Sequence, residues 1–338
     1  MPSSVSGSSA SLAGRADRRP ASPTLSGDLG ALEWFARRPR VAALIGAACI
    51  AFSGVFFVYA AVSPSTGTFY RAFFGLPLLV LVAVGERRRH GPLPRQSVAI
   101  ALIAGVFFTG DLVFWHHAIE AVGAGLATVL GNLQVIIVGV VAWVLLGERP
   151  SRATLLALPV VLLGVVLISG VVGADAYGAD PQLGVVLGIL TAICYSGYLL
   201  LIRRGGRDQR RPAGPVAIAT ASVVVCSFVV GEVMGDLDLT PGPASLFWLA
   251  MLGITAQSAG YLMISISLPR LPAIITSIIL LAQPVMSIGL ARVLLHETPS
   301  PTQLLGVVFV VGGIAAATVP LARLRDGLAR VRPSPAGD

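Results

Sequence analysis

From Val41 to about residue 322 the chain is a succession of apolar runs separated by short polar breaks. Each run is close to twenty residues or longer, so an α-helix rising about 1.5 Å per residue would carry it across about 30 Å of hydrocarbon. Ten runs are delimited this way: 41–61, 66–85, 97–118, 122–146, 153–173, 183–203, 214–232, 244–266, 271–295 and 302–322. The breaks are compact, such as Ser63-Pro64-Ser65, and the longest, at 174–182, 204–213 and 233–243, hold Gly, Pro, Asp and Arg. None can form a soluble domain, so the pattern predicts an all-α membrane protein with ten transmembrane helices and its chemistry inside the membrane. Residues 1–32 are Ser, Ala, Gly, Pro and Arg, a composition that cannot bury a core and predicts a disordered tail.

Composition agrees with the pattern. Of 338 residues 55% are hydrophobic and 12% charged, against about 25% charged in a soluble domain. The net charge of +8 would suit a nucleic-acid partner in a soluble protein, but here every basic residue is Arg and the arginines flank the runs. With the N-terminal tail in the cytoplasm, the breaks alternate. One side holds Arg87, Arg88, Arg89 and Arg95, then Arg149 and Arg152, then Arg203 to Arg211, then Arg270, and finally Arg323 to Arg332. The other side holds no Arg and carries Glu120, Asp175, Asp180, Glu232, Asp236, Asp238 and Glu297. The excess of arginine on one side predicts a multi-pass protein of the cell (cytoplasmic) membrane with both termini cytoplasmic. Cys49, Cys194 and Cys226 each lie in an apolar run without pairing spacing and read as small core residues.

An offset of 149 residues (297 − 148) aligns two stretches without a gap. Val144-Leu145-Leu146-Gly147-Glu148-Arg149-Pro150-Ser151 lies over Val293-Leu294-Leu295-His296-Glu297-Thr298-Pro299-Ser300, while Gln134 meets Gln283 and Gly164 meets Gly313. The offset spans five runs, an odd number, so the second copy would enter the membrane inverted. Two inverted five-helix repeats are an arrangement typical of secondary transporters.

These residues carry a family resemblance. Leu145-Leu146-Gly147-Glu148-Arg149-Pro150-Ser151 with Gly164, and Gln283-Pro284-Val285 with Leu294 to Ser300 and Leu304-Leu305-Gly306, resemble the pattern closing the fourth helix of EamA-domain proteins. That family lies in the drug/metabolite transporter superfamily. The resemblance implies EamA-like repeats at 41–173 and 183–322, a cytoplasmic tail at 323–338, and a cavity lined by helices 1–4 and 6–9. Helices 5 and 10 would lie at the periphery or at a homodimer face. The sequence departs from the pattern twice: Gln134-Val135 lacks the family's proline, so only the ninth helix should kink there, and His296 replaces the usual Gly.

Charges inside apolar runs are expensive and mark candidate function. Arg71, Asp111 and Arg292 are the three, and Arg71 and Asp111 fall at matching depth, which predicts an ion pair or a shared cavity. Arg292 lies within snorkelling reach of a surface. Polar stripes at helical spacing add Trp115 beside Asp111, Tyr195 and Tyr198 with Thr191, Gln257 with Tyr261, and Thr276, Gln283 and Ser287. Such stripes line a cavity or hydrogen-bond between helices. Asp111 and His116 are the candidates for proton coupling. Adjacent His116 and His117 point about 100° apart on a helix, a poor geometry for a metal, and none is expected. Glu148, Pro150 and Ser151, with Glu297, Pro299 and Ser300, read as structural: the proline stops one helix and the serine starts the next.

No nucleophile elbow, zinc-binding or phosphate-binding motif is present, and there is no lysine. The expected protein is therefore a secondary carrier, not an enzyme, without a cofactor. It would export a small polar metabolite such as an amino acid by alternating access, with the lipid bilayer and its solute as partners and no nucleic acid. The alternatives are a membrane-embedded lipid-modifying enzyme and an importer of a vitamin or nucleobase-like solute.

Overall fold

Proline opens helix after helix in this chain, because its fixed φ suits the first turn and its missing N–H is not needed there. The computed structural model describes residues 34–146, 152–172, 175–205, 210–267, 270–271 and 273–318. Pro39 starts α1 (Pro39–Ala51), which passes through Phe52 into α2 (Ser53–Ala60). Pro64 starts α3 (Pro64–His90), with Ser63 as its N-cap. There follow α4 (Arg95–Val122), α5 (Ala124–Gly131), α6 (Gln134–Leu146), α7 (Arg152–Ile168), α8 (Pro181–Gly205) and α9 (Ala213–Met234). Next come α10 (Pro243–Met251), a π-helix (Leu252–Gly260), α11 (Tyr261–Ser267), α12 (Ala273–Leu294) and α13 (Pro301–Thr318).

Among the described residues there is no strand, and six helical stretches are long and apolar enough to cross a membrane. They are Pro39–Ala60, α3, α4, Pro181–Ile202, α9 and Pro243–Ser267. The remaining apolar runs carry the shorter helices Ala124–Val138, Arg152–Ile168, Leu281–Leu294 and Pro301–Ala317.

Proline alone does not account for the irregularities. Helix α12 continues through Pro284. The break comes instead in the copy without proline, between α5 and α6. There Asn132 Nδ2 donates to Thr128 O at 2.8 Å, and Leu133 N and Ile136 N reach back only three residues, to Leu130 O and Leu133 O. A side chain that competes for the helix's own carbonyls tightens and interrupts the ladder. His296, where the resemblance leads one to expect Gly, has φ 56°, a left-handed value that explains the usual glycine.

Close packing follows small residues. Helices α7 and α13 lie back to back: a Cβ on Gly164 would come 2.7 Å from Gly306 O. Helix α4 packs along α8, where Gly197 receives Phe107, and α9 covers both α3 and α4. Helix α3 meets the π-helix at Gly75, whose absent Cβ leaves room for Gln257. One apolar cluster, including Phe57, Leu126, Leu130, Ile168 and Ile314, and another, including Leu79, Phe108, Leu112 and Val223, make the core. The buried polar residues described next sit among them.

Candidate functional site

Arg71, seven residues into α3, is 2% exposed. A guanidinium keeps its charge and needs acceptors wherever it is buried. Its Nε donates to Gln257 Oε1 at 3.1 Å, and Gln257, itself fully buried, donates through Nε2 to Thr220 Oγ1 at 3.0 Å. Gln257 is thus used at both ends of its amide and fixes Arg71 from the π-helix, with α9 behind it. The Arg71 Cζ stands 5.5 Å from the Trp115 ring centre, within cation–π range.

Asp111, one turn before Trp115 on α4, is buried and interacts electrostatically with Arg71. The two do not close into a contact ion pair; the Arg71 Nε is directed at Gln257. Among the described residues the Asp111 carboxylate accepts no hydrogen bond; only its backbone oxygen is engaged, by Thr191 Oγ1 at 3.5 Å. The fully enclosed polar atoms without a partner lie elsewhere: Ser65 Oγ, His116 Nε2, His117 Nε2 and Asp236 Oδ1. A buried carboxylate that is neither paired nor sealed is left facing open space, where water or a solute must satisfy it.

Aromatic rings complete the surroundings. Phe108 stacks on Tyr198 at 4.3 Å, Tyr195 stacks on Tyr198 at 5.8 Å, and Tyr261 meets Phe108 edge-on at 5.1 Å. Tyr261 also interacts with Arg71 and Tyr195. The fold therefore brings Arg71, Asp111, Trp115, Tyr195, Tyr198, Gln257 and Tyr261 into one polar, aromatic-walled cluster.

Of the other expected residues only His116 borders it, its ring 5.1 Å from that of Trp115. His116, fully buried, hydrogen-bonds Thr68 Oγ1 through Nδ1 at 2.7 Å and stacks on Phe57 at 4.2 Å. The Thr68 hydrogen goes to Pro64 O at 2.8 Å, which assigns the proton to Nδ1 and leaves Nε2 as a lone pair. Ser287 Oγ donates across helices to Thr128 Oγ1 at 3.1 Å, and Gln283 is half-buried. Arg292 is exposed and its Nη1 lies 3.4 Å from Glu297 O. The side chain of Thr276, and the residues Glu148, Pro150 and Ser151, lie outside what is described.

Glu297 is 4% exposed and grips the start of α5: Oε1 accepts from Ala124 N at 2.6 Å and Oε2 from Gly125 N at 3.1 Å. A carboxylate on the free N–H groups of a helix start is stabilised by the helix dipole as well. Burial pushes the Glu297 carboxyl above the usual glutamate range, and these two N–H bonds oppose that rise. Pro299 is buried, and Ser300 caps α13 reciprocally with Gln303: Ser300 Oγ accepts from Gln303 N, and Ser300 N donates to Gln303 Oε1.

Two further acids, not among the expected site residues, do the same work as Glu297. Glu86 Oε1 and Oε2 accept from Ala213 N and Gly214 N, each at 3.0 Å, at the start of α9. Asp236 Oδ2 accepts from Ser65 N at 3.4 Å at the start of α3. On the Glu297 face a cavity of about 670 Å³ is lined by Phe57, Glu120, Gly123, Tyr177, Leu295 and Glu297. Its Phe57 is the ring that stacks on His116.

A bundle of apolar helices with a charged, aromatic-walled cluster in its interior is the build of a multi-pass membrane protein that handles small molecules. The chain belongs to the EamA-like transporter family, which residues 39–170 and 182–319 match. It is 25% identical over 264 residues to the uncharacterized transporter sll1319 of Synechocystis, covering 72% of this chain and 76% of that protein. It is 29% identical over 136 residues to the pseudopaline exporter CntI of Pseudomonas aeruginosa, covering 40% of this chain and 45% of that one. A solved crystal structure, 21% identical, superimposes with a TM-score of 0.56 over 82% of this chain and 98% of that one, a likeness of fold.

Proposed function

We propose that the protein is a secondary transporter that exports a small polar metabolite carrying both a carboxylate and an amino group, such as an amino acid. The observation that carries this reading is the pairing of Arg71 and Asp111. Both are buried beside the same aromatic rings, and neither neutralises the other by contact. Arg71, held by Gln257, offers the rest of its fork to a carboxylate; Asp111 offers an unshared carboxylate to an ammonium; the tyrosines and Trp115 supply walls. The chain's membership in a transporter family and its partial likeness to an exporter support transport in the outward direction.

In this reading ten helices form two inverted five-helix repeats, with both termini cytoplasmic and the Glu297 face outside. The acid contacts support it: Glu86 on Ala213 and Gly214, and Asp236 on Ser65, fall at positions related by the 149-residue offset to within one residue. Rocking of the halves would expose the cluster to each side in turn. Asp111 would carry the proton if transport is proton-coupled.

Flux into proteoliposomes tests the proposal. Saturable uptake of an amino acid is expected, falling at least about tenfold in Arg71→Ala, as loss of a charge-assisted contact implies. Asp111→Asn should lose discrimination between the amino acid and its deaminated analogue. Unsaturable flux, or a hydrolysis product without flux, would overturn the reading.

A further inference from the structure

A second concavity lies apart from the central cluster, on the outside of the bundle. Helices α8 and α9 both pack on α4 but touch one another at few positions, and between them a groove of about 720 Å³ opens sideways. Its floor is α4 from Val106 to Glu120, and its walls include Leu187 on α8 and Val230 on α9. Fourteen residues of α4 (120 − 106) separate its ends, about 21 Å at about 1.5 Å per residue. Half of the hydrocarbon core is about 15 Å, so in the orientation proposed above a groove of this length reaches from headgroup level past the bilayer midplane.

The two ends differ in chemistry. The deep part is apolar. At the rim, on the Glu297 face, stand Glu120, Asp180 and His117. Glu120 is 52% exposed, and its Oε2 lies 3.7 Å from His117 Nδ1. Asp180 is exposed and spends Oδ1 on the N–H of Leu183 at 3.0 Å, keeping Oδ2 for another donor. His117 Nε2 has no hydrogen-bond partner among the described residues. Among the described residues no arginine lines this groove.

We propose that this groove binds a phospholipid with a primary-amine headgroup, from the leaflet on the Glu297 face. One acyl chain lies along α4 between α8 and α9. The headgroup ammonium meets Glu120 and Asp180, with His117 holding Glu120 at the rim. A lipid held only by its chains would have no use for two acids and a histidine at one end.

The test is retention of lipid by the full chain, purified from vesicles of equal phosphatidylethanolamine, phosphatidylcholine and phosphatidylglycerol and measured by native mass spectrometry. Phosphatidylethanolamine should be retained about threefold to fivefold over the other two, the range for one or two partly exposed charge contacts. The preference should vanish in Glu120→Gln/Asp180→Asn, while total lipid persists. Val230→Trp, which fills the groove, should lower retention of all three; if that variant does not fold, Leu187→Trp on the opposite wall takes its place. Equal retention of the three lipids by the unaltered protein, or a preference that survives the double substitution, overturns the proposal.

Discussion

At the scale of single residues, the guanidinium of Arg71 is buried, and its environment specifies arginine. Lysine would keep the charge but lose the directed Nε bond to Gln257 Oε1. Arg71→Lys is expected to leave the protein folded, raise KM for the solute about tenfold and change kcat little, read in proteoliposome uptake. Glu297 gives a prediction about pH. Burial raises its carboxyl above the ordinary range, so the folded chain keeps this proton to higher pH than the unfolded chain does. Its contribution is therefore full below the ordinary glutamate range and is lost as pH rises through the raised value. Thermal unfolding across that window should show wild type losing stability relative to Glu297→Gln as pH rises. A flat difference would contradict the burial of this group. Arg71 and Asp111 were legible in the sequence because a charge in an apolar run has few bland explanations. Glu86 was not, since it sits beside Arg87, Arg88 and Arg89 and looks like part of a solvated helix end. Gln257 was legible as polar and inward, but a stripe cannot say whether an amide meets solute or, as here, another side chain.

At the scale of elements, the helices follow from apolar run length and from proline at their starts, and both are plain in the sequence. Their irregularities are not. The π-helix has no proline to announce it; its glycines, Gly253 and Gly260, lie against α3 and α1, and Ser258 Oγ donates to Gly75 O at 2.6 Å. The interruption at Asn132 depends on a side chain turning back to Thr128 O, a choice that spacing does not reveal. Two substitutions examine these contacts. Gly75→Ala would place Cβ 2.7 Å from Gln257 Cγ, so it should impair uptake much as loss of Gln257 does, with helicity retained by circular dichroism. Gly164→Leu has the backbone of Gly306 and Val310 in its way as well as the Val310 side chain, and should cost about 1–3 kcal/mol in detergent unfolding without changing KM.

At the scale of the whole molecule, the contacts that tie helix starts are not local. Glu86 reaches α9, Asp236 reaches α3 and Glu297 reaches α5, each more than a hundred residues away. Every one of these caps crosses from the chain before residue 173 to the chain after residue 181. Either segment made alone would start a helix with its N–H groups unanswered and leave an acid with nothing to hold, so each should be degraded or aggregate. Made together as separate polypeptides, the two supply one another's caps. A gene split within the 173–181 connection should therefore complement itself, with two fragments that co-purify and transport, whereas Glu86→Ala combined with Glu297→Ala should abolish that reassembly before it abolishes function of the intact chain.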